Sequence, residues 1–179
     1  MQDHEIVIAG FGGQGLLFSG KVLAYAGLIE GRELSWLPSY GPEMRGGTAN
    51  CNVILSDIPV GSPIVQHPTI LMVMNAPSLD KYENAVAPGG MIFVDSSLIS
   101  RKVNRKDVET VYIPATQMAM DNGLSGLANM ILLGAVIEKT HCIDESSIPD
   151  ALHKVIPARK ADLFDANMKA IQTGKEAVL

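Results

Sequence analysis

A short, mostly hydrophobic run that ends in a cluster of glycines and restarts as a helix leaves little choice of architecture. Glu5 to Ala9 is β-branched and apolar, glycines follow at positions 10, 12, 13 and 15, and Leu16 to Glu30 carries apolar residues at helical spacing. This is the pattern of a strand that turns tightly into a helix. Gly31 stands where a helix needs a left-handed residue to end, and Glu33 to Leu37 resumes as a second strand. The first βαβ unit is therefore complete by Leu37.

The alternation continues along the chain. PSYGPEMRGGT, Pro38 to Thr48, is a loop rich in Pro and Gly, and ANCNVILS after it is a third strand. TILMVMN predicts a strand, SLDKYENAV a short helix, APGG a turn, and MIFVDSS and TVYIPAT two further strands. Leu124 to Lys139 is a helix apolar or small on nearly every face, so it is buried either in the core or against another subunit. Ser147 to Val155 and Ala161 to Gln172 close the chain as helices, with Gly174 just past the end of the last. Strands alternating with helices define an α/β class: one Rossmann-like domain over residues 1–179, with an open, mostly parallel sheet, helices on both faces and C-terminal helices from about 146. A chain of 179 residues buries one such core and has no room for a second large catalytic domain.

The composition excludes several functions. With 47% hydrophobic and 18% charged residues the chain folds rather than staying disordered. Its net charge is -5, and its basic residues are scattered apart from RKVNRK, Arg101 to Lys106, so the electrostatic footprint of a nucleic-acid binder is missing. RKVNRK reads as a solvated loop or strand edge, with an anionic partner as the alternative. No apolar stretch approaches the roughly 20 residues that span a bilayer, and the first residues lack the basic and apolar regions of a secretory signal; the expected location is the cytoplasm. Cys51 and Cys142 are far apart and form no C-x-x-C pair, so they are expected to be buried thiols, with no metal or iron–sulfur site in this chain. His4, His67, His141 and His153 show no ligand spacing and are assigned surface or local hydrogen-bonding roles. Ser125 lacks a nucleophile-elbow setting, and no residue is assigned a catalytic role. The nine methionines are expected to fill gaps in the core.

Gly10, Gly12 and Gly15 satisfy G-x-G-x-x-G between a strand and a helix, where backbone amides attract a phosphate or carboxylate. A dinucleotide site also needs an acid about 20 residues on, at the carboxyl end of the second strand, to bind the ribose. That end reads SWLPSYG, and Glu33 falls at the strand's beginning. Three readings stay open for the glycines: a dinucleotide site, a tight turn with no ligand, and a turn facing another ligand or subunit. The second informative stretch is SYGPEMRGGTANC, Ser39 to Cys51. Pro42 restricts the backbone while Gly41, Gly46 and Gly47 permit unusual dihedrals, which presents Glu43 and Arg45 at the carboxyl edge of the sheet. The two side chains either brace the loop as an ion pair or meet a ligand. Asp95, Ser96 and Ser97 follow a strand and either line the same cleft or cap a helix or turn.

GFGGQG, followed by LPSYGPEMRGGTANCNVILSDIPVGSPIV and MNAPSLDKYENAVAPGGMIFVDSSLI, resembles the gamma subunit or domain of the 2-oxoacid:ferredoxin oxidoreductases, and within them most the 2-oxoglutarate (KorC-like) branch. The resemblance covers most of the chain up to the C-terminal helices. It implies a multisubunit enzyme that decarboxylates a 2-oxoacid on thiamine diphosphate, passes electrons to ferredoxin through iron–sulfur clusters and transfers an acyl group to coenzyme A. The expected place of this chain is an accessory subunit, without a cofactor of its own, packed against alpha and beta subunits and a possible ferredoxin-like delta subunit. Thiamine diphosphate and the clusters are then in the partners, and coenzyme A is a co-substrate. The residues expected to touch a ligand or a neighbouring subunit are Gly12, Gly13, Gln14, Gly15, Ser39, Tyr40, Glu43, Arg45 and Thr48. Arg45 has the planar fork that suits a substrate carboxylate or a coenzyme A phosphate, and Glu43 can orient it. A free-standing NAD(P)-dependent reductase on the same kind of sheet is the alternative.

Overall fold

The computed structural model describes residues 3–39 and 48–179. Strand β1 (His4–Phe11) turns into helix α1 (Leu16–Ile29), and β2 (Glu33–Ser39), β3 (Thr48–Ser56) and β4 (Ile70–Val73) follow. Helix α2 (Ala76–Tyr82) continues as a 3-10 turn at Glu83–Ala85 and leads to β5 (Met91–Asp95) and β6 (Glu109–Ile113). The remainder is helical: α3 (Ala115–Asp121), α4 (Ala128–Thr140), α5 (Ile148–Val155) and α6 (Leu163–Glu176). The six strands form one sheet in the order β2-β3-β1-β4-β5-β6. From β1 outward through β4 and β5 to β6 every pairing is parallel, whereas β3 runs antiparallel to both β1 and β2. The expected open, mostly parallel α/β sheet is therefore present.

The βαβ unit expected to end at Leu37 differs from the simple form. Its second strand lies two places from the first, because β3 returns antiparallel and inserts between them. Period-2 alternation identifies a strand but carries no information on which neighbour it pairs with.

The central strands are buried on both faces, so they read as continuous apolar runs rather than alternating ones. Ile6 and Ile8 of β1 point into the larger core with Leu23 of α1, Phe93 of β5 and residues of α3 to α6. Val7 and Ala9 point the other way, against Leu79 of α2, Val86 and Val94. Helices thus lie on both faces, five on one and α2 on the other. Each fully buried Ile, Leu or Val contributes about 1.5–3 kcal/mol. Helix α1 ends as Gly31 predicts: at φ 73° it lets the Arg32 N–H reach the Gly27 carbonyl at 2.9 Å, while its own N–H donates to Leu28 at 3.1 Å. Asn75 caps α2, its Oδ1 accepting from the Ser78 N–H at 2.9 Å.

Several elements depart from expectation. The all-apolar helix starts at Ala128 rather than Leu124, since Gly126 at φ 85° holds the preceding residues in a turn. It is core, as nearly every residue from Asn129 to Ile137 is buried. Gly174 lies inside α6 and not past its end: a Cβ there would sit 1.7 Å from the Ile131 carbonyl oxygen, and one on Gly134 would sit 2.0 Å from that of Ile171. The two glycines let α4 and α6 cross backbone to backbone. Helix α3 was not expected, because its first residues extend the strand-like run TVYIPAT; Pro114 breaks that run and takes the N-cap. RKVNRK is a surface loop, as expected, with Lys102, Asn104 and Lys106 exposed, but its two arginines are engaged. Arg101 bridges Asp80 and the buried Glu83 at 2.7 Å each, and Arg105 pairs with Asp107 at 2.5 Å and with carbonyls of Glu83 and Val86. Cys51 and Cys142 are buried thiols, as expected, and burial pushes them up to about 12 and about 11.

Candidate functional site

The carboxyl ends of β1 and β4 meet where connections leave for opposite faces of the sheet, the position at which open α/β sheets take ligands. Gly12, Gly13, Gln14 and Gly15 form one turn there. Gly13 and Gly15 have φ of 88° and 77°, which other residues rarely adopt. The Gln14 side chain ties the turn to two strands: its Oε1 accepts from the Phe11 N–H at 2.6 Å, and its Nε2 donates to the Met74 carbonyl at 3.0 Å. A Cβ on Gly10 would stand 2.4 Å from that Oε1 and would displace the glutamine amide from its two bonds. From α4, Asn129 donates to the Gly15 carbonyl and to Ser19 Oγ, both at 3.0 Å. The turn is thus held by the end of β1, the residue after β4 and helix α4.

The amides of Gly12, Gly13 and Gly15 have no hydrogen-bond partner among the described residues. Helix α1 begins with no side-chain cap and no acid in its first turn, so its positive end is open at the same edge. A cleft of about 320 Å³, mostly apolar, flanks the turn on one side, lined by Gln14, Met74, Leu98, Thr116, Met120 and Ser125. A second of about 280 Å³ lies on the other side, against Phe11, Leu17, Phe18 and Ala49. Such an arrangement has the chemistry for an anionic group at the turn and an apolar chain beside it.

The candidate residues are gathered in part. Thr48 opens β3 directly opposite Phe11, beside the turn, whereas Ser39 is level with Asn50 and hence with Ala9, two strands away or about 10 Å. Tyr40, Glu43 and Arg45 lie outside the described residues, as does the proposed Glu43–Arg45 ion pair. Asp95 is a cap: its buried carboxylate accepts from the Ser97 N–H at 3.1 Å and the Thr116 hydroxyl at 2.6 Å, fixing the start of α3. Asn129, Leu98 and Met120 were not identified from sequence, because none belongs to a pattern near the glycines. Among the described residues no group of three His, Cys, Asp or Glu can hold a metal ion. No helix among them is long and apolar enough to cross a membrane.

The strand order bears on the dinucleotide reading. In a dinucleotide-binding domain the second strand lies beside the first and brings its terminal acid to the ribose. Here β3 occupies that place and Glu33 begins β2 at the far edge. Fold and turn together define a Rossmann-like domain whose glycine turn departs from the dinucleotide type. The sequence model of pyruvate ferredoxin/flavodoxin oxidoreductase matches residues 5–177, and the chain belongs to that family. Ketoisovalerate oxidoreductase subunit VorA of Methanothermobacter thermautotrophicus is 41% identical over 97% of this chain, which spans 36% of that relative's length. The 2-oxoglutarate synthase subunit KorC of Methanocaldococcus jannaschii is 36% identical over 86% of this chain and 83% of its own. The keto/oxoacid ferredoxin oxidoreductase gamma subunit of Geobacter sulfurreducens superposes with a TM-score of 0.84 at 29% identity, covering 98% of both chains.

Proposed function

We propose that this chain is the accessory gamma subunit of a cytoplasmic, thiamine-diphosphate-dependent 2-oxoacid:ferredoxin oxidoreductase that converts 2-oxoglutarate, coenzyme A and oxidised ferredoxin to succinyl-CoA, carbon dioxide and reduced ferredoxin. The observation that carries the reading is the agreement with the Geobacter gamma subunit along 98% of both chains. Alpha and beta subunits, and a possible ferredoxin-like delta subunit, hold the thiamine diphosphate and the iron–sulfur clusters; this chain supplies neither a nucleophile nor a proton-transfer group. Its contribution is binding and enclosure. The open amides at Gly12, Gly13 and Gly15, the turn-locking Gln14, and Ser39, Tyr40, Glu43, Arg45 and Thr48 are the residues proposed to meet coenzyme A, the 2-oxoacid or the surface of a neighbouring subunit. In each case a negative group is drawn to the positive end of α1.

The 41% identity to a ketoisovalerate oxidoreductase subunit favours a second reading of the substrate, a branched-chain 2-oxoacid in place of 2-oxoglutarate. One experiment separates them. The anaerobically reconstituted complex is assayed for viologen reduction with coenzyme A and either 2-oxoacid, with and without this chain. The proposal requires 2-oxoglutarate to be the better substrate and the omission to abolish turnover. A preference for 3-methyl-2-oxobutanoate moves the assignment to the second reading, and full activity without the chain rejects both.

A further inference from the structure

At the edge of the sheet opposite the glycine turn, the start of β1, the Ala87–Gly90 turn and the end of α4 line an open pocket of about 290 Å³. His4 lines it and is 7% exposed, yet its imidazole has no hydrogen-bond partner among the described residues. Lys139, in the last turn of α4, lines it too and has no ion pair among them.

Every other donor identified in the wall is already engaged. The Thr69 hydroxyl donates to the Glu5 carbonyl at 3.2 Å, and that of Thr140 donates to the Val136 carbonyl at 2.7 Å. The N–H of Ala87 donates to Pro68, that of Gly89 to Asp107 and that of Gly90 to Ala87, at 2.9, 2.7 and 2.9 Å. Pro88 has no N–H. No carboxylate lines the pocket. An imidazole with no protein partner at the wall of this pocket has a hydrogen bond to offer that a ligand oxygen can take in place of water. We propose that this pocket binds a small oxyanion, the carboxylate or phosphate group of a metabolite, between the Lys139 ammonium and the His4 imidazole. The eight residues of β1 put it about 23 Å from the glycine turn, so it is a second site and not an extension of the first.

The charges around His4 set how the site responds to pH. Arg32 acts on it to lower its pKa and Asp3 opposes Arg32, while Lys139 lines the same pocket. Burial first and Arg32 second hold His4 below its ordinary 6.5, so the empty site carries a neutral ring that still donates one N–H. An anion favours the imidazolium, so binding takes up a proton and tightens as pH falls.

The test uses the whole chain with ¹⁵N-labelled histidine at constant ionic strength, titrated separately with inorganic phosphate and with acetate. The His4 ring resonances should move saturably while those of His67, His141 and His153 stay in place. Lys139→Met, at an exposed position, should weaken binding roughly tenfold, the loss of one charge-assisted hydrogen bond. Whichever anion saturates at the lower concentration assigns the group as phosphate or carboxylate. His4 resonances that only drift with salt, or saturable binding that Lys139→Met leaves unchanged, would overturn the proposal. Because the readout is binding to the free chain, it is independent of the oxidoreductase assay.

Discussion

Gln14 shows how one side chain can substitute for a longer motif. Its amide satisfies the Phe11 N–H and the Met74 carbonyl at once, so Gln14→Ala removes both bonds and should cost about 0.5–1.5 kcal/mol in urea denaturation. Unchanged stability would mean that water replaces the amide and that the turn stands without it. His4 supplies a pH dependence. Its folded pKa is depressed below 6.5, so the unfolded chain binds the extra proton, and stability present above pH 6.5 is lost as pH falls through the lower folded value. Melting temperature in buffer without phosphate or carboxylate should therefore fall on acidification from pH 6.5, and His4→Gln should flatten that segment. Asp107 and Asp144, held down by Arg105 and by a Ser146 N–H, add losses of the same sign only below 3.8. The glycines were legible as a turn because residues with a side chain rarely adopt such dihedrals. Gln14 was legible as a neighbour, but its two bonds were not, since Met74 is 60 residues away.

The α4–α6 crossing is set by two glycines, and substitution should separate contact from conformation. Gly174→Ala must push a Cβ into the Ile131 carbonyl and should destabilise by about 3 kcal/mol or more. Gly31→Ala meets no atom within 4 Å and should cost only its left-handed backbone, about 1–2 kcal/mol. Equal losses in chemical denaturation would contradict the close packing. Among the described residues, hydrophobic periodicity located every strand and five of the six α-helices, and it read α4 as buried. It placed Gly174 after α6 because glycine usually marks a helix end, whereas here the neighbouring helix leaves no room for a side chain. It also passed over α3, which begins at the Pro114 break, and the insertion of β3 between β1 and β2, which depends on long-range pairing.

The molecule as a whole leaves apolar surface at one edge. Phe11 is 42% exposed, Leu98 47% and Met120 58%, all near the glycine turn, and α1 carries one charge, Lys21, in 14 residues. Exposed apolar groups gathered beside open backbone amides are what a subunit boundary or shared cleft requires. The interposed β3 and the absence of an acid at the carboxyl end of β2 remove the features a dinucleotide needs, so NADH should not bind the purified chain at micromolar concentration. The most direct measurement is anaerobic affinity purification of the tagged chain from its native host, followed by mass identification of partners and a visible absorbance spectrum. Brown co-purifying subunits that reduce viologen when given a 2-oxoacid and coenzyme A are the predicted result. A lone, colourless chain that binds NADH would contradict the account.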